Sequence, residues 1–418
     1  MTDPGVSADD LYYDPFDFDV DLNAQPIWKR LRDEAPVYWN EKHEFFALSR
    51  YDDVLRVVVD TDTFTSTHST SLEQMGPDRT FLADTMMIYM DPPQHTWHRK
   101  VVSRAFTPRT MAALEDRMTR LANGLLDQID GRDEFDFVED YGGIIPPTVI
   151  LALLGFPEGF EEEWRRGVDA SLTLATDGDQ IAAGHPVDAP APDELIGADG
   201  SMGMGALFQI LPELVEARRT TPEDDLMSVL ANTDLDEGGT IRKLNDAEIF
   251  SFVLLLSAAG TETVARLLGW AGSLLAEHPD ERAKLVADPS LIPNAVEECL
   301  RYEAPSPVNG RWVTADTEFH GVVIPKDSKL LMINGSGNRD ERHFPDPDRF
   351  DVTRQIDRHL SFGYGAHFCV GAALARMEGV VALRELLKRY PTWTVDRDRT
   401  TMVHTSTVRG FAKLPVHI

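Results

Sequence analysis

The sequence has 418 residues, of which 42% are hydrophobic, and a formal net charge of −30. Such a composition supports a large core, and the negative charge argues against general binding to nucleic acids or to anionic membranes. Its two cysteines, Cys299 and Cys369, do not make a disulfide framework and are typical of a protein of the reducing cytoplasm.

The N-terminal residues predict neither export nor a membrane anchor. Residues 1–10 are polar and acidic, without the pattern of a signal peptide. The longest strongly apolar stretch, Phe252 to Ala259, is far shorter than the roughly 20 residues that cross a bilayer. We therefore expect a cytoplasmic protein without a membrane span. Residues 1–25 as a whole, rich in aspartate and aromatic side chains, predict a loosely held arm.

The next segments predict short elements of both kinds. Residues 37–48 predict a β-hairpin and residues 52–59 a helix, whereas residues 61–80 have little periodicity and predict a loop. Further helical patterns lie at residues 111–130 and 141–154.

A helix start is predicted at Asp91, with Asp91 as the N-cap, Pro92 at the first position and Gln94 completing a capping box. His95 and Arg99 then lie one turn apart on one face of this helix. From spacing alone, both are compatible with solvated side chains.

Residues 176–205 are dominated by Gly, Ala, Pro and Asp. This stretch has too few apolar side chains to hold a fixed structure, so we predict a mobile insertion. A surface insertion without a role is equally compatible with this composition.

A long buried helix is predicted next. Asn245 and Glu248 form a capping-box pattern, and the helix runs to about His278. Its first half is apolar on all sides and should be buried, yet Glu262 and Thr263 follow within the same helix. Polar residues in a buried helix indicate a functional site, while a solvated face beginning at Glu262 is the alternative.

An amphipathic helix is predicted over residues 292–303, with Cys299 on its apolar stripe as a core residue. Glu298 and Arg301 lie off that stripe, so periodicity alone predicts an exposed ion pair worth less than about 1 kcal/mol. A β-like stretch then leads from Arg311, and the C-terminal Val403 and Val408 are strand-like around a turn at 404–407.

The stretch from Ser361 to Gly371 carries the chemistry. Gly363 and Gly365 predict a tight turn, and Cys369 stands directly before a helix predicted over 370–390. The backbone N–H groups at a helix N-terminus favour an anion, so a thiolate at Cys369 is a metal ligand or a nucleophile. A buried structural cysteine is the alternative, and a zinc site lacks two further ligands at suitable spacing.

This stretch closely resembles the haem-binding loop of the cytochrome P450 family, with matching residues Phe362, Gly363, Gly365, His367, Cys369 and Gly371. The helix after Asp91, the run Ala259–Val264 and the Glu-x-x-Arg element at Glu298 resemble further motifs of this family. The resemblance implies one mainly α-helical domain over residues 1–418, with small β-sheets and a β-rich N-terminal part at about 25–65. The haem would be buried between the long central helix and the Cys-ligand loop.

The resemblance also implies the cofactor and its ligands. Cys369 would be the axial thiolate of the iron in haem b, which favours cleavage of the O–O bond. His95, Arg99, Arg311 and His367 would contact the haem propionates.

Other residues receive roles by the same resemblance. Thr263 and Glu262 would deliver protons to the oxygen that reacts on the distal side, and Gly260 would leave room beside it. Glu298 and Arg301 would form a buried ion pair, completed by Arg349.

The implied function is that of a soluble, monomeric monooxygenase of bacterial type. It would insert one oxygen atom from O2 into an apolar substrate such as a steroid, terpenoid, fatty acid or polyketide. Electrons would come from a separate ferredoxin and ferredoxin reductase, because no flavin or dinucleotide pattern is present. A hypothetical docking patch for that partner consists of four basic residues: Lys100, Arg104, Arg109 and Arg117. Four apolar or small residues are expected in the substrate pocket: Leu255, Ala258, Val308 and Thr407.

Two alternatives remain in different classes. A peroxygenase driven by hydrogen peroxide is disfavoured by the Glu262–Thr263 pair, because a proton relay matters chiefly when O2 is activated. A haem-based sensor without turnover is disfavoured because nothing in the sequence resembles an output domain.

Overall fold

The computed structural model describes residues 11–105, 108–172 and 203–418, and fourteen α-helices lie in these ranges. The helices are α1 (Phe18–Asn23), α2 (Gln25–Glu34), α3 (Tyr51–Val59), α4 (Gln94–Val102), α5 (Pro108–Ile129), α6 (Ile145–Leu154), α7 (Glu161–Leu172), α8 (Gly203–Thr220), α9 (Leu226–Asn232), α10 (Asp246–Glu277), α11 (Pro279–Ala287), α12 (Ile292–Tyr302), α13 (Asn334–Gly337) and α14 (Ala372–Arg389).

The strands in the same ranges are short and form small sheets. They are β1 (Val37–Asn40), β2 (Phe45–Leu48), β3 (Phe64–Thr65), β4 (Glu134–Asp136), β5 (Asp234–Asp236), β6 (Ile241–Lys243), β7 (Val308–Val313), β8 (Thr317–Phe319), β9 (Val322–Ile324), β10 (Lys329–Ile333), β11 (Thr394–Val395), β12 (Thr401–Met402), β13 (Phe411–Lys413) and β14 (Pro415–His417).

The largest sheet brings distant parts of the chain together, in the strand order β1-β2-β10-β7-β3. The predicted hairpin is confirmed, because β1 and β2 pair antiparallel. Strand β10 runs parallel to β2 and antiparallel to β7, which places Arg311 opposite Leu330. Alternation along β7 puts Asn309 and Arg311 on the same face. The part predicted as β-rich, about residues 25–65, contains β1–β3 and also helices α2 and α3.

Helix α10 crosses the centre of the molecule over 32 residues, a length of about 48 Å. Its predicted capping box is confirmed: Asn245 Oδ1 accepts from the Glu248 N–H at 2.9 Å, and the Glu248 carboxylate accepts from the Asn245 N–H at 2.8 Å. In the described residues it is the one helix apolar and long enough to cross a membrane. Most of its side chains are buried in the main core, as in the core helix of a soluble protein.

Helix α4 begins later than the sequence predicts, and the capping box at Asp91 is wrong. The residue before the helix is Pro93, without a side-chain cap. Asp91 instead accepts hydrogen bonds from the Ser66 N–H at 3.1 Å and from the Thr65 hydroxyl. The carboxylate is used to hold the loop before α4, a long-range pairing that the local pattern does not contain.

The N-terminal arm is also corrected over its described part, residues 11–25. Asp21 is buried and bonds to His404 Nδ1 at 2.6 Å, and the Phe18 ring stacks on the same imidazole at 3.8 Å. Arg409 donates to the carbonyls of Val20, Asp21 and Leu22. This segment is therefore packed against the C-terminal hairpin.

That hairpin is formed by β12 and β13, which pair antiparallel. The turn predicted at 404–407 lies between them, whereas Val403 and Val408 fall outside the strands. The predicted insertion, residues 176–205, lies outside the described residues except for its last three, which begin α8.

Candidate active site

Two backbone hydrogen bonds fix the position of Cys369 in the loop before α14. The Gly363 N–H donates to Leu360 O at 2.8 Å, and the Cys369 N–H donates to Phe362 O at 2.8 Å. The chain reverses between these bonds because Gly363 and Gly365 adopt positive φ values of 64° and 67°. A Cβ at Gly365 would also stand 3.0 Å from Val58 O. The predicted tight turn is confirmed, and Cys369 lies three residues before the helix.

The loop is anchored from below by Asn338. Its Oδ1 accepts from the Leu360 N–H at 2.7 Å and its Nδ2 donates to Ser361 Oγ at 2.8 Å. The carbonyl of Asn338 accepts from Arg301 Nη1 at 3.0 Å. Asn338 therefore connects the Cys369 loop to helix α12, and the Ser361 hydroxyl adds a direct bond to Leu300 O at 2.6 Å.

The Glu298–Arg301 pair lies at the base of this anchor, and both side chains are 0% exposed. Arg301 Nε and Nη2 donate to the Glu298 carboxylate at 2.7 and 2.9 Å. The buried pair implied by the family resemblance is confirmed, and the exposed pair predicted from periodicity is wrong.

The arginine that completes this pair is Arg354, not Arg349. Arg354 Nε donates to Glu298 Oε1 at 3.2 Å, and its side chain is 11% exposed. The side chain of Arg349 is 64% exposed and faces Asp351 at 3.6 Å. The loop path decides this, because it turns the side chain of Arg349 to solvent and uses only its carbonyl as an acceptor for Arg354.

A cavity of about 280 Å³ opens between the Cys369 loop, helix α10 and strand β7. Cys369 and Gly363 line one side, and Gly260 and Thr263 line another. Apolar side chains close most of the remaining wall: Ile88, Ile150, Leu256, Val264 and Leu267. The arrangement suits a flat apolar group held against Cys369.

The predicted pocket residues are displaced by one position. Leu256 and Ala259 line the cavity rather than Leu255 and Ala258, and Asn309 lines it rather than Val308. Thr407 does not line the cavity but contacts a residue that does, because its carbonyl accepts a hydrogen bond from the Ser306 hydroxyl at 3.0 Å.

Basic side chains gather at one edge of the cavity. His95 and His367 lie with ring centroids 4.3 Å apart, and Arg311 lines the cavity beside His367. No carboxylate of the described ranges forms an ion pair with these three residues or with Arg99. His95 Nδ1 is buried and has no hydrogen-bond partner among the described residues.

Burial and mutual repulsion both act on these groups. Burial, together with the nearby Arg99, His98 and Arg311, lowers the pKa of His95 to about 4. Burial also lowers the pKa of Arg311 to about 10. Burial, together with the nearby Arg311, His95 and Arg99, lowers the pKa of His367 to about 2. An anion bound at this edge would relieve the repulsion.

The Cys369 side chain is half-buried at the cavity. Burial raises its pKa above the usual value, and the Gly371 N–H with the charges of Arg99 and Arg376 opposes this only in part. The N-terminus of α14 is therefore insufficient by itself to hold a thiolate at Cys369. A bound cation would supply the missing stabilisation.

Thr263 and Glu262 are neighbours in sequence but face different surroundings. Thr263 lines the cavity, and its hydroxyl donates to Ala259 O at 2.8 Å, one turn earlier. Glu262 is buried outside the lining and accepts from Arg266 Nη2 at 2.8 Å. The structure brings Thr263 and Cys369 to one cavity and keeps Glu262 in an ion pair. Gly260 also allows close packing, since a Cβ there would meet Ile150 Cγ1 at 3.0 Å.

One cavity-lining acid was missed from the sequence. Glu378 of α14 lines the cavity, is 2% exposed and has a pKa raised well above its usual value by burial. The sequence does show this acid, because Glu378 interrupts the apolar stripe of Leu374, Ala375, Val381 and Ala382. A charged residue in the buried stripe of a helix beside the predicted ligand should have been a candidate.

Comparison with known proteins identifies the family. A model of the family named Cytochrome P450 matches residues 204–417. The chain is 38% identical over 414 residues to Putative cytochrome P450 123 of Mycobacterium tuberculosis, covering 99% of this chain and 98% of that protein. The chain belongs to the cytochrome P450 family.

Other P450 relatives match along most of the chain. Vitamin D(3) 25-hydroxylase of Pseudonocardia autotrophica is 35% identical over 424 residues, covering 100% of this chain and 98% of that protein. The structure of a mutant of P450 EryK in complex with erythromycin B superposes with a TM-score of 0.82 at 34% identity, covering 96% of this chain and 97% of that one. The predicted P450 fold is confirmed, and the chain resembles soluble bacterial P450s.

P450 proteins bind haem, and the cavity of this chain fits that group. A haem offers an iron for the Cys369 thiolate, an apolar face for the cavity wall and two propionates for the basic edge. The edge has the required chemistry, because Arg311 is buried and His367 half-buried there, and neither forms an ion pair with a carboxylate of the described residues. His95 Nδ1 also lacks a hydrogen-bond partner in this part of the chain.

Proposed function

We propose that this P450 is a haem-thiolate monooxygenase that inserts one oxygen atom from O2 into an apolar organic substrate. Haem b, held by Cys369, would supply the oxidising chemistry. The observation that carries the proposal is the shared cavity of Cys369 and Thr263, with basic side chains at one edge and apolar walls elsewhere. Electrons would come from a separate ferredoxin and its reductase.

The chain's own residues divide the work. His95, Arg99, Arg311 and His367 would bind and orient the propionates at the basic edge. His95 and Arg311 are buried and Arg99 and His367 are half-buried, so little water would reach this edge and each charge-assisted hydrogen bond would be stronger than in solvent. Thr263 would hold a proton donor at its hydroxyl on the opposite side of the cavity.

Glu262 has a conditional part in this proposal. Its carboxylate is bound to Arg266, so it would reach the cavity only after that ion pair opens. In the closed arrangement, Thr263 lines the cavity and Glu262 does not, so the relay expected from the Glu262–Thr263 pair needs this movement.

Thr263→Ala should separate electron consumption from product formation. Without the hydroxyl, proton delivery to the reacting oxygen is less controlled, and reducing equivalents should leave as hydrogen peroxide. General acid–base steps of this kind are worth roughly 10²–10⁴-fold. We expect product per NAD(P)H consumed to fall at least about tenfold, measured with a reconstituted ferredoxin system. The matched variant Glu262→Gln should change coupling much less, because that side chain faces Arg266. Undiminished coupling in Thr263→Ala would contradict the assignment.

The source of the inserted oxygen distinguishes the two enzyme functions. With ¹⁸O2 and a reductase system, the product should carry the label, and unlabelled hydrogen peroxide should not dilute it. A peroxygenase would instead incorporate label from H2¹⁸O2 and would work without a reductase. Absence of any product with every compound that shifts the haem spin state would favour the non-catalytic haem sensor.

The substrate is proposed only as a class. The cavity walls are mostly aliphatic. One relative is named as a vitamin D(3) hydroxylase, and another was solved in complex with erythromycin B. We therefore propose a large, mostly apolar ring system such as a steroid or macrolide as the first substrate class to test. Docking of the ferredoxin is proposed on the exposed Lys100 and Arg104 at the end of α4. Arg117 already pairs with Glu158, and the side chain of Arg109 lies outside the described residues.

A further inference from the structure

His98 is a completely buried histidine outside the cavity. It lies on α4, three residues after His95, and its side chain is 0% exposed. Its ring approaches the ring of Phe252 of α10 with centroids 6.0 Å apart. The predicted site did not include it, and the cavity does not touch it.

Both ring nitrogens of His98 face groups that only accept hydrogen bonds. Nδ1 lies 3.0 Å from Gln94 O, a backbone carbonyl. Nε2 lies 3.1 Å from Glu248 Oε1, a carboxylate oxygen. A neutral imidazole carries one N–H and would direct a lone pair at one of these oxygens. Only the imidazolium, with two N–H groups, satisfies both contacts.

Glu248 is fully ionised in this setting. Burial alone would raise the pKa of Glu248, but hydrogen bonds from Arg242, His98 and the Asn245 N–H together lower it to about 2. Arg242 donates to both of its oxygens at 2.7 Å and also pairs with Glu237 at 2.6 Å. Two carboxylates thus face one arginine, and a protonated His98 makes the cluster electrically neutral.

We propose that His98 is an imidazolium and a positioning residue for the haem edge. Its Nδ1–H holds the first turn of α4 at Gln94, next to His95. Its Nε2–H ties that turn to the first turn of α10, which begins at the capped Asn245. One charged ring therefore connects the helix of two proposed propionate contacts with the helix that carries Thr263. This role rests on the proposed haem site but not on the monooxygenase reaction.

The surroundings of His98 set the sign of its pH dependence. Helix α9 packs on α4 without a titratable side chain. Of the other elements that contact α4, strand β5 carries Asp234 and Asp236, and the turns before and after α4 carry Tyr89 and Arg104. Glu248, Arg242 and Glu237 form the charged cluster at Nε2, and His95 and Arg99 lie on α4 itself. The two hydrogen bonds are both present while the ring holds two protons, and one is lost as pH rises and a proton leaves. The tie between α4 and α10 should therefore weaken with rising pH.

The protonation state can be read directly by ¹⁵N NMR of the histidine rings in the diamagnetic, carbon monoxide-bound ferrous holoenzyme. At about pH 6 we expect two N–H signals from one ring that are absent from His98→Gln. Glu248→Gln should remove the double protonation, because the carboxylate that holds it is gone. A single N–H on His98 across about pH 5–9 would overturn the proposal. The wild-type spectrum decides this even where a variant fails to fold.

The positioning role can be read from haem release to excess apomyoglobin. A hydrogen bond between charged groups is worth roughly a factor of ten or more, so we expect wild-type release to accelerate about tenfold between about pH 6 and pH 9. His98→Gln should release haem about tenfold faster at pH 6 and lack that pH-dependent step.

His320→Gln is the matched control. It removes a contact between His320 and the carboxylate of Asp53. The His320 side chain is 38% exposed, and both residues are far from α4 in the sequence. This variant should keep the wild-type profile. Parallel pH profiles of wild type and His98→Gln would overturn the positioning role, whether or not any substrate is oxidised.

Discussion

Cys369→His is expected to abolish the red-shifted Soret band that carbon monoxide produces in the reduced protein, together with all oxygenation of substrate. The thiolate donates electron density to the iron and favours O–O cleavage, whereas an imidazole is a neutral and weaker donor. The basic edge formed by Arg311, His95 and His367 is unchanged, so the variant should still bind haem through its propionates. Difference spectra and product analysis measure the two effects.

The second cysteine provides a matched control. Cys299 is buried in the core on α12, and burial raises the pKa of its thiol far above the usual value. Cys299→Ala should leave the carbon monoxide spectrum unchanged and cost only the small packing loss of one sulfur atom. A Cys369→His protein that retained the red-shifted band would refute the assignment of the axial ligand.

Glu298→Gln is expected to produce the largest loss of stability. The change leaves Arg301, 0% exposed, as an uncompensated buried charge. Breaking such a pair costs about 3–5 kcal/mol of unfolding free energy. Because Arg301 also holds Asn338, which holds the Cys369 loop, haem loss should accompany the lower unfolding midpoint. Urea titration and the haem absorbance would record both.

Two arginines distinguish the observed arrangement from the predicted one. Arg354→Ala should lower the unfolding free energy by about 1–3 kcal/mol, since it removes a buried partner of Glu298. Arg349→Ala should change it by less than about 0.5 kcal/mol, because that side chain is mostly in solvent. The opposite order would contradict the pairing seen here.

Local rules account for the features that were predicted correctly. The capping box at Asn245 and the turn at Gly363 depend on backbone groups within a few residues, where hydrogen-bond geometry follows from sequence spacing. The Glu298–Arg301 contact has the same origin, because residues three apart in a helix are neighbours. Its burial was invisible to periodicity, since the loop that covers it comes from residues 338–354.

Long-range pairing decided the rest. Asp91 has the pattern of an N-cap, yet the loop at Ser66 competes for its carboxylate. Asp21 belongs to an acidic segment that the sequence predicts as a loosely held arm, yet its carboxylate bonds to the distant His404. Neither contact leaves a trace in local spacing, because each depends on where a distant loop runs.

Contiguous residues with strict backbone requirements predicted the family, the long central helix and Cys369 as the candidate ligand. Tertiary packing was needed to show that Arg354 replaces Arg349, that Glu262 pairs with Arg266 and that His98 bridges α4 and α10. A buried charged side chain pairs with whichever opposite charge the folded chain places within hydrogen-bonding distance. That distance depends on how distant segments pack together and not on spacing along the chain.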